Sequence, residues 1–362
     1  MKRLNNGKET GMKALIHDGA GSLSLVDRPK PELMLSTDAI IKVTRSTICT
    51  SDLHILKGAV PRALPDVVLG HEFVGLVESV GSSISKLKPG DRVAVNCETF
   101  CGECYYCKHG WVNNCEQGGW ELGCRIDGCQ AEYVRVPFAD NACTVIPHSL
   151  KDEDALFLGD ILATGWWGAR IAEIDEGSTV AVIGAGPVGL TTMMCARLKN
   201  PEKIIALDID DRRLRIASEQ GLADKTINPS HDSLETIEAV VRLLTHGRGA
   251  DVVIEAAGGK NTFEMAWRIA RPNATVVVSA MYEAPQVLPL PFMYGKNLTF
   301  KTGGVDASGL DEVMALIEQG KLDTSCLISK RFSLNNILEA YEAFENREGD
   351  CLKIVITPWE ED

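Results

Sequence analysis

A buried strand that leads directly into a glycine-rich turn and a helix restricts the possible folds of this chain more than any other feature. The apolar run from Thr179 to Ile183 is followed by Gly184, Gly186 and Gly189 in a G-x-G-x-x-G spacing. This spacing fits the turn between a parallel strand and the helix after it, because the glycines allow a tight turn and a close helix contact. The pattern therefore predicts a β-α unit within a parallel sheet.

Short apolar strands and helical segments continue to alternate after this unit. The further predicted strands are Ile204 to Asp208, Asp251 to Glu255, Thr275 to Ser279 and Leu298 to Lys301. The predicted helices are Pro187 to Lys199, Asp211 to Gln220, Ser233 to Thr245 and Thr262 to Ala270. Continuously apolar strands are typical of a parallel sheet that helices cover on both faces. The order predicts an α/β domain with a doubly wound parallel sheet over residues 164–304.

The remainder of the chain has a different pattern. From residue 12 to about 160, glycines and turn residues separate short strands such as Phe73 to Val80, which is typical of antiparallel β structure. After residue 305, further helices precede a strand from Leu352 to Thr357, and we expect this strand to return to the first domain. Residues 1–163 and 305–362 are therefore assigned to one mainly antiparallel β domain.

The charge balance and the apolar content indicate the class of partner. With 37 Lys and Arg against 50 Asp and Glu, the 362-residue chain has a net charge of −13, which opposes binding to nucleic acid or to an anionic membrane surface. No apolar run approaches the roughly 20 residues of a membrane span, and the basic start of the chain has no apolar stretch behind it. We therefore expect a cytoplasmic protein whose partner is a small molecule.

The glycine turn is suited to hold the pyrophosphate of a dinucleotide. Gly186 lets the backbone approach the phosphates, and Pro187 and Val188 begin a helix whose N-terminus faces the anion. Asp208 lies 24 residues after Gly184, at the end of the next strand, where an acidic residue binds the ribose hydroxyls. The same residue could instead cap the helix that follows.

The charge at this position also predicts the coenzyme preference. Asp208 would repel the 2′-phosphate of NADP, whereas Arg212 and Arg213 follow closely enough to moderate that repulsion. Of these two arginines, Arg213 is taken as part of the coenzyme site. We expect NAD to be preferred over NADP.

Four cysteines with a regular spacing predict a closed metal site. Their spacing is C-x2-C-x2-C-x7-C, and they are Cys101, Cys104, Cys107 and Cys115. Four thiolates complete a tetrahedral zinc shell and leave no position for a substrate, so such a site orders a loop. Free thiols or two disulfides are the alternatives, but a long chain without an export signal is expected to keep its twelve cysteines reduced. We predict a structural zinc lobe over about residues 97–118.

A second possible metal site is spread along the chain. Catalytic zinc needs three protein ligands and one open position, and Cys49, His71 and Asp160 offer a thiolate, an imidazole and a carboxylate. Two of the three have an ordinary alternative, because a histidine beside a glycine is usually structural and Asp160 could cap a helix. Glu72 could complete the zinc shell or remain outside it.

In combination, these motifs resemble those of the zinc-dependent medium-chain alcohol dehydrogenases. The similarity covers nearly all of the chain from Met12 onward, and the motifs occur in the family's order and approximate spacing. It implies a GroES-like catalytic domain, a Rossmann coenzyme domain, two zinc ions per chain and the reversible oxidation of an alcohol. Asp160 and Trp120 resemble the bacterial secondary-alcohol dehydrogenases, in which that tryptophan lines the substrate pocket. We also expect a homo-oligomer, with a tetramer favoured over a dimer.

The resemblance implies roles for other residues of the site. A proton leaves the alcohol through the hydroxyl of Ser51, passes the coenzyme ribose and reaches His54, whose imidazole exchanges it with solvent. Asp52 is expected to accept a hydrogen bond from the outward ring N–H of His71, which fixes the tautomer that binds metal. Trp166 is a further candidate for the wall of the substrate pocket.

Two other functions fit parts of the pattern. A polyol dehydrogenase shares zinc, NAD and the cysteine lobe, but Trp120, Leu122 and Trp166 indicate an apolar pocket, so secondary alcohols are favoured. A catalytically silent protein that binds nucleotide and zinc would use the same fold, because a fold alone does not establish turnover. Every candidate ligand and relay residue is present, which favours an enzyme.

Overall fold

The computed structural model describes residues 11–347, 349 and 351–359. These residues form short strands and helices joined by loops. The strands in chain order are β1 (Gly11–His17), β2 (Leu23–Pro29), β3 (Ala39–Thr47), β4 (Phe73–Val80), β5 (Arg92–Val95), β6 (Tyr133–Val136), β7 (Cys143–Val145), β8 (Thr179–Ile183), β9 (Lys203–Leu207), β10 (Lys225–Ile227), β11 (Ala250–Glu255), β12 (Ala270–Val278), β13 (Thr299–Thr302), β14 (Ile328–Ser333) and β15 (Lys353–Thr357).

The helices are mostly short. In chain order they are α1 (Thr50–Leu56), α2 (Tyr105–Lys108), α3 (Ala139–Ala142), α4 (Asp152–Ala155), α5 (Ala163–Ile171), α6 (Pro187–Arg197), α7 (Asp211–Glu219), α8 (Leu234–Leu244), α9 (Thr262–Ile269), α10 (Leu290–Met293), α11 (Leu310–Glu318) and α12 (Ile337–Glu345). A π-helical segment spans Leu158–Leu162. Within the described ranges, no helix has both the length and the apolar character that a bilayer crossing requires.

These elements form two units. Residues up to Gly159 and from Ile328 onward form the first unit, and Asp160–Leu327 forms the second. The sequence placed the boundaries near residues 163 and 305 instead. The second boundary lies later because α11 packs against α5, and Asp306 lies 3.8 Å from Arg170 on that helix. The chain therefore returns to the first unit only at β14.

The second unit contains a six-stranded parallel sheet in the order β10-β9-β8-β11-β12-β13. Every side chain of β8 is buried, as expected where helices cover both faces. Helices α8 and α9 contribute to the same apolar core as β8, β9, β11 and β12. This strand order is that of a Rossmann sheet, so the prediction of a doubly wound α/β domain is confirmed.

The sequence located most of these strands but misplaced some of their ends. It missed β10, because the residues of this edge strand are largely exposed and give no apolar run. It began β12 at Thr275, whereas the strand starts at Ala270 and includes the exposed residues Pro272 and Asn273. It ended β9 at Asp208, but the strand ends at Leu207, so Asp208 is the first residue of the following loop.

The first unit contains a seven-stranded sheet in the order β14-β15-β3-β4-β5-β7, and β6 pairs with β3 outside this order. Its pairings are antiparallel except for the parallel pair of β14 and β15. Strand β15 pairs with the end of β3 through Val355 and Thr47, so the last strand returns to the first unit as the sequence predicted. β1 and β2 form a separate antiparallel pair.

An apolar cluster of this unit lies next to the segments that carry the first two candidate metal ligands. It joins side chains of α1, α12 and β15, and it includes Ile48 and Leu69, both fully buried. Ile48 immediately precedes Cys49, and Leu69 lies two residues before His71. Packing in this cluster therefore fixes the backbone on which both ligands are carried.

Candidate functional site

Cys49 lies at the turn between β3 and α1, where it is the N-cap residue of the helix. Its backbone N–H donates a 2.9 Å hydrogen bond to Oδ2 of Asp52 in the first turn of α1. The Ser51 hydroxyl lies 3.0 Å from the Cys49 sulfur. The Cys49 thiol is therefore held at the N-terminus of α1, beside the Ser51 hydroxyl.

The two ring nitrogens of His71 face different partners. Nδ1 lies 3.4 Å from Oδ1 of Asp52, and Nε2 lies 3.3 Å from the hydroxyl of Ser51. His71 is only 3% exposed, and Asp52 is fully buried. This arrangement brings together the predicted pair of His71 and Asp52, and it directs Nε2 towards the side on which Cys49 lies.

Asp160 is carried by the π-helical segment Leu158–Leu162 and not by the N-cap of an α-helix. The preceding residue, Gly159, packs directly on the end of β5. A Cβ atom at this position would lie 2.0 Å from the carbonyl oxygen of Val95, and Cys97 donates a 2.9 Å hydrogen bond to the Gly159 carbonyl. Because only glycine fits there, the backbone of Gly159 can lie directly against the end of β5. Isolated π-helical turns are frequent at functional sites.

The structure brings the three predicted ligands together. One ligand atom each of Cys49, His71 and Asp160 lies within 4.8 Å of the other two. A thiolate, an imidazole and a carboxylate at this spacing fit three corners of a tetrahedral zinc shell with the fourth corner open. The donor set is therefore suited to a catalytic zinc ion.

Glu72 follows His71 in the chain but contacts a different group. Its Oε2 accepts a 2.6 Å hydrogen bond from Nζ of Lys353, which also donates to the carbonyl of Ile48 at 3.0 Å. Glu72 and Lys353 are both almost completely buried. The cluster of possible ligands described above does not include Glu72. Sequence reasoning missed Lys353, although a lysine within the otherwise apolar strand β15 was a signal for a buried ion pair.

Trp120 lies beside the metal-ligand cluster. Its ring meets the His71 imidazole edge to face, with 5.5 Å between the ring centroids. Arg62, which sequence reasoning did not consider, lies 5.5 Å above the indole and donates a hydrogen bond to the Trp120 carbonyl. Trp166 lies on α5, where the Lys199 ammonium is 5.8 Å from its ring. The assignment of Trp166 to the substrate pocket stays a prediction.

Ser51 and His54 lie three residues apart on α1, so their side chains share one face of the helix. Both residues are partly buried. The Ser51 hydroxyl lies between the Cys49 sulfur and Nε2 of His71, at 3.0 and 3.3 Å. This position beside two candidate ligands suits a group that accepts a proton from a bound alcohol.

The four lobe cysteines also converge, and their sulfur atoms lie within 4.8 Å of one another. All twelve cysteines of the chain are free thiols, so the disulfide alternative is wrong for this structure. The backbone N–H groups of Cys107 and Glu116 lower the pKa of Cys104 to about 6, whereas burial raises the pKa of Cys107 to about 12. Such a group of thiols fits a tetrahedral zinc ion.

The glycine turn has the geometry that its motif requires. Gly184 has a φ of +100°, and a Cβ atom at Gly189 would lie 1.8 Å from the Gly184 carbonyl oxygen. Gly186 is the N-cap of α6, which begins at Pro187 and continues through Val188. The first turn of this helix therefore offers unpaired backbone N–H groups to an anion.

Asp208 contacts the glycine turn directly. Its Oδ2 accepts a 2.7 Å hydrogen bond from the backbone N–H of Ala185, and its Oδ1 accepts one from Asp210 at 2.8 Å. The N-cap of α7 is Asp210, whose side chain accepts from the N–H of Arg212, so the helix cap is not Asp208. Nη1 of Arg213 lies 3.4 Å from the position that a Cβ of Gly186 would take, which places this guanidinium beside the turn.

Family models, curated proteins and solved structures are similar to this chain. A family model described as "Alcohol dehydrogenase GroES-like domain" matches residues 36–148, and one described as "Zinc-binding dehydrogenase" matches residues 187–319. An alcohol dehydrogenase of Cupriavidus necator is 36% identical, and the match covers 96% of this chain and 99% of the relative. An NADP-dependent isopropanol dehydrogenase of Entamoeba histolytica is 32% identical, with 96% of each chain covered. This chain also superimposes on the solved apo structure of zinc dependent alcohol dehydrogenase 2 from Streptococcus pneumonia, with a TM-score of 0.91. The two sequences are 37% identical, and the match covers 97% of this chain and all of that one.

Proposed function

Since the chain belongs to the zinc-dependent medium-chain alcohol dehydrogenase superfamily and is an NAD(P)-dependent oxidoreductase, we propose that it oxidises secondary alcohols reversibly to ketones. The proposal is carried by the group of Cys49, His71 and Asp160, with the apolar Trp120 ring against His71. The relative from Entamoeba histolytica supports the substrate class, because the isopropanol in its name is a secondary alcohol.

In this proposal each chain holds two zinc ions. Cys49, His71 and Asp160 hold the catalytic ion, and the four lobe cysteines hold a structural ion. The support is the convergence of both donor sets, since each fits tetrahedral coordination and only the first leaves a corner open. When bound at the first set, zinc supplies a Lewis acid that lowers the pKa of an alcohol hydroxyl.

The side chains around the first set hold the ligands and carry the proton. Oδ1 of Asp52 faces Nδ1 of His71 at 3.4 Å, and its negative charge favours a proton on Nδ1, which leaves the Nε2 lone pair for the metal. Ser51 accepts the proton of the alcohol and passes its own hydroxyl proton on towards His54, because its hydroxyl lies beside both Cys49 and His71. His54 then exchanges a proton with solvent, since an imidazole can both accept and donate one. The apolar part of the substrate packs against Trp120.

We propose that NAD is the preferred coenzyme, and when bound it supplies the hydride acceptor. The backbone of the turn from Gly184 to Gly189 contacts its pyrophosphate, and Asp208 binds the ribose hydroxyls. The negative charge of Asp208 disfavours a 2′-phosphate, while Arg213 beside the turn reduces this preference. In this respect the chain would differ from the relative named as NADP-dependent. A homo-oligomeric state, with a tetramer favoured, and a cytoplasmic location stay predictions from the sequence.

A substrate panel tests this function. Secondary alcohols such as isopropanol and 2-butanol, a primary alcohol of equal length and polyols such as sorbitol are assayed by the absorbance of the reduced coenzyme, with NAD and NADP in parallel. We expect the largest kcat/KM for secondary alcohols with NAD. Faster turnover of polyols would contradict the substrate class and favour the polyol alternative. Equal kcat/KM with both coenzymes would contradict the role of Asp208.

A further inference from the structure

We propose that Gln130 and Tyr341 are positioning residues that act through Asp52 to hold Cys49 and His71 in the geometry that binds zinc. The proposal rests on the proposed function, in which these ligands and Asp160 hold the catalytic ion. Neither Gln130 nor Tyr341 belongs to a motif that the sequence singled out. Their role follows from a buried chain of polar contacts in the first unit.

The chain of contacts runs from α12 to the imidazole. The Tyr341 hydroxyl donates to Oε1 of Gln130 at 2.7 Å, and Nε2 of Gln130 donates to Oδ2 of Asp52 at 3.1 Å. The other carboxylate oxygen of Asp52 lies 3.4 Å from Nδ1 of His71. Asp52 and Gln130 are fully buried and Tyr341 is 4% exposed, so the contacts are shielded from water.

One carboxylate thus orients both ligands. Oδ2 of Asp52 accepts from the backbone N–H of Cys49 as well as from Gln130, while Oδ1 faces His71. Rotation of the Asp52 carboxylate would move Oδ1 away from Nδ1 of His71. The imidazole would then no longer be held in the tautomer whose Nε2 can bind a metal. The Gln130 amide opposes that rotation because it fixes the direction of Oδ2.

Gln130 is in turn fixed on every side. Its backbone N–H donates to the Leu69 carbonyl at 2.9 Å, and its carbonyl accepts from Leu15 at 2.9 Å. Its side chain packs on Gly70, the residue before His71, where a Cβ atom would lie 2.6 Å from Cγ of Gln130. The remaining freedom is rotation of the amide. The Tyr341 hydroxyl opposes this rotation by donating to Oε1 at 2.7 Å, and the Thr47 carbonyl accepts a longer hydrogen bond from Nε2 at 3.4 Å.

The Tyr341 hydroxyl is a stable donor in this position. Burial raises the pKa of Tyr341 well above its usual value, so the hydroxyl keeps its proton. Without this hydroxyl, Oε1 of Gln130 would be buried with no other donor to it among the described residues. A buried acceptor that loses its donor is costly, so the amide would reorient and release Asp52.

The test is the rate at which zinc leaves the purified two-zinc protein in the presence of a chelator that changes absorbance on binding zinc. The lobe zinc is an internal reference, because the chain of contacts does not involve the lobe cysteines. A Cys49→Ser variant identifies the phase that belongs to the catalytic ion. In Tyr341→Phe we expect this phase to be about tenfold faster, at the low end of the effect of such outer partners on metal affinity. The lobe phase is expected to stay unchanged.

The matched control is Tyr133→Phe. Tyr133 lies on β6 in the same unit, and its hydroxyl makes no hydrogen bond to any residue within the described ranges. Both release phases are expected to equal those of the unchanged chain. If Tyr341→Phe accelerates both phases equally, or neither, the proposal is overturned.

A double-mutant cycle adds a second criterion. Gln130→Met removes the side-chain hydrogen bonds to Tyr341, Asp52 and Thr47 at similar volume, and we expect an increase of about tenfold or more in the catalytic release rate. Tyr341→Phe should add nothing in the Gln130→Met background, because its effect passes through Gln130. Additive effects would overturn the chain of contacts. If Gln130→Met fails to fold, the selective effect of Tyr341→Phe alone decides.

The same data separate this inference from the function on which it rests. A protein with one zinc per chain, or a Cys49→Ser variant that keeps two, contradicts the proposed catalytic site and this inference with it. Only the positioning role is contradicted if the protein holds two zinc ions, Cys49→Ser loses one of them, and Tyr341→Phe leaves the release rate unchanged.

Discussion

The carboxylate of Asp52 contacts the backbone of Cys49 and faces the ring of His71. The sequence predicted the pair of Asp52 and His71, because both residues lie in short motifs that carry metal ligands. It gave no indication of Gln130 or Tyr341, which bond across 78 and 211 residues of chain. Local patterns carry information about periodicity and turns, whereas such distant side-chain contacts depend on how the sheet and α12 pack.

The buried ion pair of Glu72 and Lys353 is another contact of this kind, since 281 residues separate its members. Replacing Lys353 by methionine would remove the ammonium group that donates to the buried carboxylate of Glu72. We expect Lys353→Met to lower the free energy of unfolding by about 3–5 kcal/mol, as is typical when one partner of a buried pair is removed. Urea denaturation followed by circular dichroism measures this loss as a lower midpoint.

The exposed pair of Lys57 and Glu345 provides the control for this prediction. Its charged groups are 3.5 Å apart and both side chains are 56% exposed. Lys57→Met should cost about 1 kcal/mol or less, because water screens the pair. A second substitution, Glu72→Gln, should restore much of the stability lost in Lys353→Met. Equal losses in Lys353→Met and Lys57→Met would contradict the account of the buried pair.

Among the secondary-structure elements, the π-helical segment Leu158–Leu162 sets the position of Asp160. The sequence located helices and strands well where apolar residues recur at a regular period or a glycine turn is present, as at α6 and β8. No sequence pattern marks a π-helical turn, so the alternative predicted for Asp160 was the cap of an ordinary helix. Gly159 in this segment makes a tertiary contact that local patterns do not reveal, its close approach to the carbonyl of Val95.

Substitution of Gly159 by alanine should therefore move the whole segment. The new methyl group would overlap the Val95 carbonyl, which is backbone and cannot rotate away. Displacement of Asp160 by as little as 1 Å would reduce alcohol turnover on the order of 100-fold, in line with the cost of misplaced catalytic groups. The measurement is alcohol-dependent formation of reduced coenzyme, together with the zinc content per chain.

Gly295→Ala is the matched control for that substitution. A Cβ atom there would have no heavy atom within 4 Å, and the glycine does not have a left-handed φ. Its turnover and zinc content should equal those of the unchanged chain. Full activity of Gly159→Ala would show that the position of Asp160 does not depend on this contact.

At the scale of the whole molecule, the two patterns of hydrophobicity in the sequence correspond to the two units. The family models also match them separately, one within the first unit and one within the second. The fold classes were predictable because a parallel sheet and an antiparallel sheet impose different patterns on their strands. The boundary at Ile328 was not predictable, since it depends on the packing of α11 against α5.

The zinc content of the purified chain, measured per chain by elemental analysis, tests whether Cys49, His71 and Asp160 jointly hold one ion while the lobe cysteines hold another. We expect two zinc ions in the unchanged chain. In both Cys49→Ala and Asp160→Ala we expect one ion and no alcohol turnover. A Cys49→Ala variant that retained two ions and oxidised secondary alcohols at the original rate would contradict the assignment of the catalytic site.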